Sequence, residues 1–272
     1  MAATYTLEQF CDEMEVLVAQ KGDLTRFLKE AQDILKRLLA NREFTNRVLE
    51  QMVQDDAFTK SSISTIDRHD ILLHRSPKGS FSMRMFVWAP GSKHHIHDHG
   101  SWGIVGSFVN QTEEISYRRI DDGSREGYAE IEERSRRVLS PGDTTSVLPL
   151  NGGIHWTGSA SDETGLTVHV YGRPMRKGFV QCFDLENNSI YYLITPKVEK
   201  RLYAVRALGA IGGNDALNTL QHSFCDQNPL VRWESVLSMK QIDTEAGSNL
   251  MQAALEDEDE WVQEKARAAL RM

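Results

Sequence analysis

The sequence has few cysteines and no long apolar run, and each absence excludes a class of protein. Only Cys11, Cys182 and Cys225 occur in 272 residues, and an odd, sparse set is a poor disulfide framework. No apolar run approaches the roughly 20 residues that cross a bilayer. Residues 1–20 mix acidic and apolar side chains and lack the apolar core of a signal peptide. We therefore expect a cytoplasmic protein with reduced thiols and no membrane partner.

An excess of basic residues is also missing. Lysine and arginine total 31 against 39 acidic residues, which gives a net charge of -8. Nucleic acids and acidic membranes favour basic surfaces, so neither is an expected partner. The basic cluster Arg134-Ser-Arg-Arg137 is close to acidic residues in the sequence, and we interpret it as a solvent-exposed turn.

The N-terminal residues 1–58 are predicted to be helices that pack on the outside of the following domain. Thr6 is followed three residues later by Gln9, which is the pattern of a capping box at a helix start. Phe10, Met14 and Leu17 then recur at the spacing of one helical face.

Residues 59–194 contain short runs rich in β-branched and aromatic residues, separated by turn sequences. This pattern predicts an antiparallel sandwich or barrel. The predicted strands include 71–73, 81–88, 102–108, 113–120, 144–148, 165–171 and 180–184, and the predicted turns include Ala89-Pro-Gly, Ser140-Pro-Gly-Asp and Leu150-Asn-Gly-Gly.

Residues 195–272 read as helices that repeat with a period of 31 residues. The shift aligns Arg201 with Arg232 and Asp226 with Asp257. A fixed period of this length in a helical segment is typical of an α-solenoid, and the pattern resembles short HEAT-like repeats. This segment could bind a protein partner, mediate self-association or cover the barrel, and the sequence does not choose among these roles.

The most informative stretch is Gly91–Gly103, which contains His97 and His99 two residues apart. Alternate residues of a strand share one face, so the two imidazoles can bind one metal ion. His155, in Gly152-Gly-Ile-His, is the best third ligand. Neutral imidazole suits iron, copper, nickel and zinc, so ligand type alone does not select the metal. We interpret His94 and His95 as loop or flanking groups rather than ligands.

The spacing of these residues resembles the two sequence motifs of cupins. Five residues lie between Gly91 and His97-Asp-His99, and Pro149-(two)-Gly152-(two)-His155 follows Gly142. The resemblance implies a mainly β cupin fold, a double-stranded β-helix or jelly-roll barrel, between the N-terminal helices and the C-terminal HEAT-like repeats. The usual cupin glutamate ligand is absent, since Gly103 and Ile104 occupy its positions.

A closer resemblance is to the cysteine dioxygenase, or thiol dioxygenase, family of three-histidine cupins. Residues 81–106 resemble its iron-binding segment, and Thr167-Val-His-Val-Tyr171 matches its Ser-x-His-x-Tyr element. The sequence is most similar to the bacterial branch that acts on 3-mercaptopropionate. The resemblance covers about residues 60–185 and excludes the C-terminal repeats.

This resemblance implies a role for each matching residue. His97, His99 and His155 would bind Fe(2+), and Tyr171 would place its hydroxyl beside the metal. His169 would orient that hydroxyl, and Thr167 would anchor His169. The substrates would be a small thiol and O2, and the product would be a sulfinate.

Two departures from the family concern Tyr171 and the substrate carboxylate. The cysteine that animal-type members cross-link to this tyrosine is replaced by Ile104, preceded by Gly103, so no cross-link is expected. Asp70 lies near the place of the arginine that binds the carboxylate of cysteine. Arg84 is a replacement, because it shares a strand face with Trp88, and both are predicted substrate-binding residues. Alternatively, Arg84 pairs with an acidic side chain.

The resemblance thus implies an iron-dependent thiol dioxygenase acting on a small thiol, and Arg84 favours a thiol that bears a carboxylate. Two alternatives remain open. One is a non-catalytic, metal-binding cupin that senses or binds a small molecule and uses its HEAT-like tail to dock a partner. The other is a different metal-dependent cupin chemistry.

Overall fold

A computed structural model describes residues 5–20, 22–62, 66–67, 69–92 and 94–271. The chain divides into two compact units, one of Met1–Met175 with Gln181–Tyr191 and the other of Arg176–Val180 with Tyr192–Met272. The predicted domain boundaries after residues 58 and 194 stay predictions. Among the described residues, no helix combines the length and hydrophobicity that crossing a membrane requires.

The first unit begins with four helices: α1 (Leu7–Ala19), α2 (Leu24–Leu39), α3 (Asn46–Gln54) and α4 (Asp56–Ser62). The predicted capping box at α1 is confirmed, because the Gln9 N–H donates to the Thr6 hydroxyl and the Thr6 N–H donates to the Gln9 side chain. Phe10 and Met14 of α1 and Leu35 of α2 are completely buried in one apolar core.

Eleven strands follow among the described residues, and they form two antiparallel sheets. The first sheet has the order β1-β2-β9-β4-β7, and the second has the order β11-β10-β3-β8-β5-β6. Their bounds are β1 (Asp70–Arg75), β2 (Phe81–Trp88), β3 (Ile96–His99), β4 (Gly103–Val109), β5 (Thr112–Arg119), β6 (Ile131–Leu139), β7 (Thr144–Val147), β8 (Leu150–Ser159), β9 (Gly165–Gly172), β10 (Val180–Asp184) and β11 (Ser189–Leu193).

The connectivity of β2 to β9 is that of a jelly roll. Strands 2-9-4-7 lie side by side in one sheet, and strands 3-8-5-6 lie side by side in the other. The chain therefore crosses between the sheets at most steps, as two interlocked Greek keys require. The predicted fold class is confirmed: a cupin-type β barrel with helices before it and helices after it.

Strand β2 shows how the sequence separates the two faces of the first sheet. Phe81, Met83 and Met85 are buried in the core that includes α1 and α2. Arg84 is on the opposite face and pairs in register with His169 of β9. The predicted alternation of this strand is therefore observed, and it directs Arg84 and His169 to the same side.

Two segments that were predicted as turns are strands. Arg134–Arg137 belongs to β6, which is charged and exposed on both faces because it is an edge strand. Leu150-Asn-Gly-Gly is the start of β8. A Cβ atom on Gly153 would lie 1.9 Å from the carbonyl oxygen of Leu148, so only glycine allows the close approach that precedes His155.

The second unit contains five α-helices and a 3-10 turn among the described residues. They are α5 (Pro196–Ile211), α6 (Asn214–Ser223), α7 (Pro229–Ile242), α8 (Thr244–Ala253), the 3-10 turn Ala254–Glu256 and α9 (Glu260–Arg271). The 31-residue period appears as a repeated ion pair: Arg201 binds Asp226 at 2.8 Å, and Arg232 binds Asp257 at 2.6 Å.

The two ion pairs differ in burial, which predicts different contributions to stability. Replacing Arg232 by methionine should lower the free energy of unfolding by about 3–5 kcal/mol, because it leaves a buried carboxylate without its partner. The Arg232 and Asp257 side chains are only 5% and 4% exposed. Urea-induced unfolding followed by circular dichroism measures the change.

Arg201→Met is the matched control for this prediction. The Arg201 side chain is 44% exposed, so its removal should change the free energy of unfolding by about 1 kcal/mol or less. Equal losses in the two variants would contradict the assignment of Arg232 as the buried member of the repeat.

Candidate metal centre

Three histidine side chains from two neighbouring strands converge in the barrel. His97 and His99 lie on β3, and His155 on β8 is paired in register with His97. Their ring centroids are 4.7, 4.9 and 4.8 Å apart, so the rings form a nearly equilateral triangle. This geometry is consistent with the prediction that these three residues bind one metal ion.

Hydrogen bonds determine which nitrogen of His97 and which nitrogen of His155 can bind a metal. His97 Nδ1 lies 2.8 Å from the carbonyl oxygen of His95, and His155 Nδ1 lies 2.9 Å from Glu114 Oε1. Both Nδ1 atoms are therefore donors, because their partners only accept, and this leaves both Nε2 lone pairs available. His99 Nε2 lies 2.8 Å from His155 Nε2.

These residues fit a transition-metal ion. One ligand nitrogen from each ring lies within 4.8 Å of the others. Two nitrogens bound about 2.1 Å from one ion at a right angle would be about 3 Å apart, which is close to the His99–His155 distance. The group contains three imidazoles and no carboxylate among the described residues.

Burial keeps His97 and His99 neutral, which favours metal binding. Desolvation, with the charges of neighbouring histidines, holds the pKa of His97 and the pKa of His99 well below the usual histidine value. The neutral imidazole is the form that binds metals. The same desolvation lowers the pKa of His169.

Glu114 is a functional candidate that the sequence analysis missed. It lies on β5, its side chain is 3% exposed, and it accepts a hydrogen bond from His155 while Arg137 Nε lies 2.7 Å from its Oε2. Burial raises the pKa of Glu114, but His155 and Arg137 outweigh this effect and hold it below its usual value. A carboxylate that accepts from a ligand imidazole orients that ring and raises its basicity.

Replacing Glu114 by glutamine should weaken metal binding by about 10- to 100-fold, because the neutral amide supports His155 less well. A titration against a competing chelator measures the affinity. Glu113→Gln is the matched control, since Glu113 pairs with the exposed Arg136. Unchanged affinity in Glu114→Gln would contradict an orienting role for this carboxylate.

Tyr171 approaches the histidine triangle from the opposite sheet. Its ring stacks on His99 with centroids 5.0 Å apart. Its hydroxyl is 2.8 Å from His169 Nδ1, and His169 Nε2 is 2.8 Å from the Thr167 hydroxyl. The predicted Thr167–His169–Tyr171 contacts are present, and all three residues alternate along β9.

Trp88 extends this chain of hydrogen bonds and gives it a direction. Its indole Nε1–H donates to the Thr167 hydroxyl at 2.8 Å. An indole only donates, so the Thr167 hydroxyl accepts from Trp88 and keeps its own proton for His169 Nε2; in the matching tautomer of His169, Nδ1–H donates to Tyr171. Burial raises the pKa of Tyr171, so its protonated hydroxyl can donate into the site.

Trp88 and Arg84, the two predicted substrate-binding residues, both have hydrogen-bond or ion-pair partners within the protein. Trp88 is 2% exposed, and its only polar hydrogen is bonded to Thr167. Arg84 Nη1 forms an ion pair with Asp70, whose side chain is 4% exposed. The alternative that Arg84 pairs with an acidic side chain is therefore observed, and any substrate carboxylate would share its guanidinium with Asp70.

The residue beside Tyr171 is Gly103 rather than Ile104. Gly103 pairs in register with Tyr171, and a Cβ atom on it would lie 3.0 Å from the tyrosine ring. Ile104 is completely buried in the core that includes the helices. The alignment that placed Ile104 at the cross-link position is one residue off, but its conclusion stands, because glycine offers no sulfur.

His94 belongs to the surroundings of the site. Its Nδ1 lies 3.2 Å from His97 Nδ1, and its Nε2 bonds to Asp67. The interpretation of His94 as a flanking group agrees with this position. His95 is exposed and lies 2.7 Å from the Tyr191 hydroxyl.

Comparisons with known proteins found one family model and several solved structures that are similar to this chain. Residues 191–271 match the family model described as HEAT repeats. A Cupin 2 conserved barrel domain protein from Salinispora arenicola is 22% identical with a TM-score of 0.29, over 40% of this chain and 79% of that one. A cupin 2 domain-containing protein from Halorhodospira halophila is 17% identical with a TM-score of 0.32, over 44% and 73%.

Bacillus subtilis oxalate decarboxylase, which has Mn(II) centres, is also similar. It is 14% identical with a TM-score of 0.27, over 35% of this chain and 22% of that one. Similarities this low carry no information about the activity of this protein. The barrel is assigned from its own strand order, and the site is assigned from its own residues.

Proposed function

We propose that this protein is a non-haem Fe(2+) thiol dioxygenase. It would add both atoms of O2 to the sulfur of a small organic thiol and release the sulfinate. The reaction is balanced without another reductant, since RSH and O2 together contain the atoms of RSO2H. The sulfur is oxidised by four electrons, and O2 accepts them.

The observation that supports this proposal best is a tyrosine hydroxyl donor beside a three-histidine group. Tyr171 stacks on His99 and is oriented by His169. These are residues to which the thiol dioxygenase resemblance assigns roles. A non-catalytic binding site has no evident use for such an oriented hydroxyl.

Iron is proposed as the metal from the same resemblance. When bound by His97, His99 and His155, the ion would supply open coordination positions and activate dioxygen. The protein would supply the geometry, the burial that excludes water and the Tyr171 hydrogen bond.

The substrate is proposed to carry a carboxylate near its thiol. An arginine side chain has five N–H donors, and a bond from Arg84 Nη1 to Asp70 leaves others for a second carboxylate. Arg84 would then anchor the substrate, while the Trp88 ring would form part of the wall around it.

A panel of thiols tests the proposal. The protein is loaded with iron without oxygen, and oxygen uptake is measured with cysteine, cysteamine, 3-mercaptopropionate and mercaptosuccinate. We expect uptake with a carboxylate-bearing thiol, an equal amount of sulfinate, and loss of both in His97→Ala. Arg84→Ala should raise KM for that thiol more than for cysteamine.

The competing function is a metal-binding module that docks a partner through its helical repeats. The match of residues 191–271 to HEAT repeats favours it. Iron-loaded protein that consumes no oxygen with any thiol would reject the dioxygenase and leave this function.

A further inference from the structure

A cavity of about 610 Å³ lies on the Glu114 side of His155. The edge strand of each sheet contributes to it: β6 ends the second sheet and β7 ends the first. Helix α2 contributes Thr25, Lys29 and Gln32 to the lining, and Glu114 and His155 are also part of it. We call this space the seam cavity.

The charged side chains that line the seam cavity are predominantly basic. Lys29, Arg134 and Arg137 are cationic, and Glu114 is the one carboxylate among the lining residues described. Arg137 is the partner of Glu114. Within the described part of the chain, no acidic side chain forms an ion pair with Lys29 or Arg134. The cavity is therefore locally positive in a protein whose net charge is -8.

The lining also contains neutral hydrogen-bond donors. Thr25, Ser116 and Ser146 are hydroxyl-bearing residues of the lining, and the Ser116 hydroxyl is bonded to that of Ser135 at 2.7 Å. Pockets that bind small molecules usually measure about 300–1,000 Å³ and combine a few polar groups with apolar walls. The volume suits a compact metabolite, and the donors suit one that accepts hydrogen bonds.

We propose that the seam cavity binds a small organic anion, with a carboxylate or phosphate group held by Lys29 and Arg134. The guanidinium of arginine matches the paired oxygens of either group, and lysine adds a compact charge. Arg137 keeps its Nε on Glu114 and can offer its outer nitrogens to the same anion. His155 lines this cavity, but its Nδ1 contacts Glu114, whereas the proposed metal would bind its Nε2, so the anion and the metal would lie on opposite sides of the imidazole ring.

Calorimetric titration of the full, metal-free chain tests the pocket. The probes are inorganic phosphate and succinate, at low ionic strength. Wild-type protein should bind at least one of them saturably, and the tighter probe identifies the ligand class. The double variant Lys29→Gln with Arg134→Gln should bind it at least about tenfold more weakly, because two charge-assisted contacts are lost.

Two control variants separate this pocket from its surroundings. Arg136→Gln removes a neighbouring arginine that pairs with Glu113 and Glu133, and it should change the affinity by less than about twofold. His97→Ala should leave anion binding unchanged. No saturable binding to either probe, equal binding by the double variant, or loss of binding in His97→Ala would each overturn the proposal.

Discussion

The His97→Ala variant should lose its metal ion under conditions in which the wild-type protein retains one. Altering a residue that supports a ligand weakens metal binding by roughly 10- to 100-fold. Removing one of the three ligands themselves should weaken it by more than that. The change leaves no buried charge unpaired, since the hydrogen bond of His97 goes to the backbone carbonyl of His95. Metal content after dialysis, measured by atomic emission, gives the result.

His95→Ala is the matched control, because His95 is two residues away and exposed, and its ring bonds to Tyr191. Its metal content should equal that of the wild type. A His97→Ala protein that keeps a full equivalent of metal would place the ion elsewhere. Circular dichroism of the metal-free proteins checks that both variants are folded.

The Tyr171→Phe variant should lower kcat by about 100-fold or more while the metal remains bound. That is the usual effect of removing one preorganised hydrogen-bond donor from a reacting group. Tyr171 is oriented by a chain that begins at the Trp88 indole, so its donor direction is set before substrate binds. Steady-state oxygen uptake with the best thiol measures kcat, and metal analysis measures occupancy.

Tyr191→Phe removes the other tyrosine hydroxyl that bonds to a histidine of this region. Its kcat should be unchanged, because its partner His95 is exposed and is not a proposed ligand. Activity in Tyr171→Phe equal to that of wild type would reduce Tyr171 to a packing residue beside His99. Loss of metal in Tyr171→Phe would point to a structural role instead.

Two of the three histidines could be predicted to share a face from a local rule, because His97 and His99 are two residues apart on a strand. The same period relates Thr167, His169 and Tyr171 on β9. His155 lies on a different strand, and its prediction depended on the resemblance to the second cupin motif. Period-2 alternation fixes which residues share a face without any knowledge of the neighbouring strands. The same logic separated Arg84 from Met83 and Met85.

Contacts between strands that are distant in sequence could not be predicted. Glu114 meets His155 across 41 residues, and its neighbour Glu113 is equally acidic, so the sequence does not show which one faces inward. Arg84 meets Asp70 only because β1 and β2 pair in a particular register. β6 was missed because an edge strand can be charged on both faces, which removes the alternation that identifies a strand.

The helical repeats were recognisable because their period is long and regular. The aligned pairs Arg201 with Arg232 and Asp226 with Asp257 predicted equivalent positions, and the structure shows the same ion pair at both. Their different burial does not follow from the alignment. What the repeats bind stays a prediction.

Isotope labelling of the product is the most direct test of the proposed reaction. The iron-loaded protein is given its best carboxylate-bearing thiol under 18O2, and the product is analysed by mass spectrometry. A dioxygenase predicts a sulfinate in which both oxygen atoms are 18O, and no such product from the His97→Ala protein. A disulfide product, or a sulfinate labelled at only one oxygen, would contradict the proposed dioxygenation.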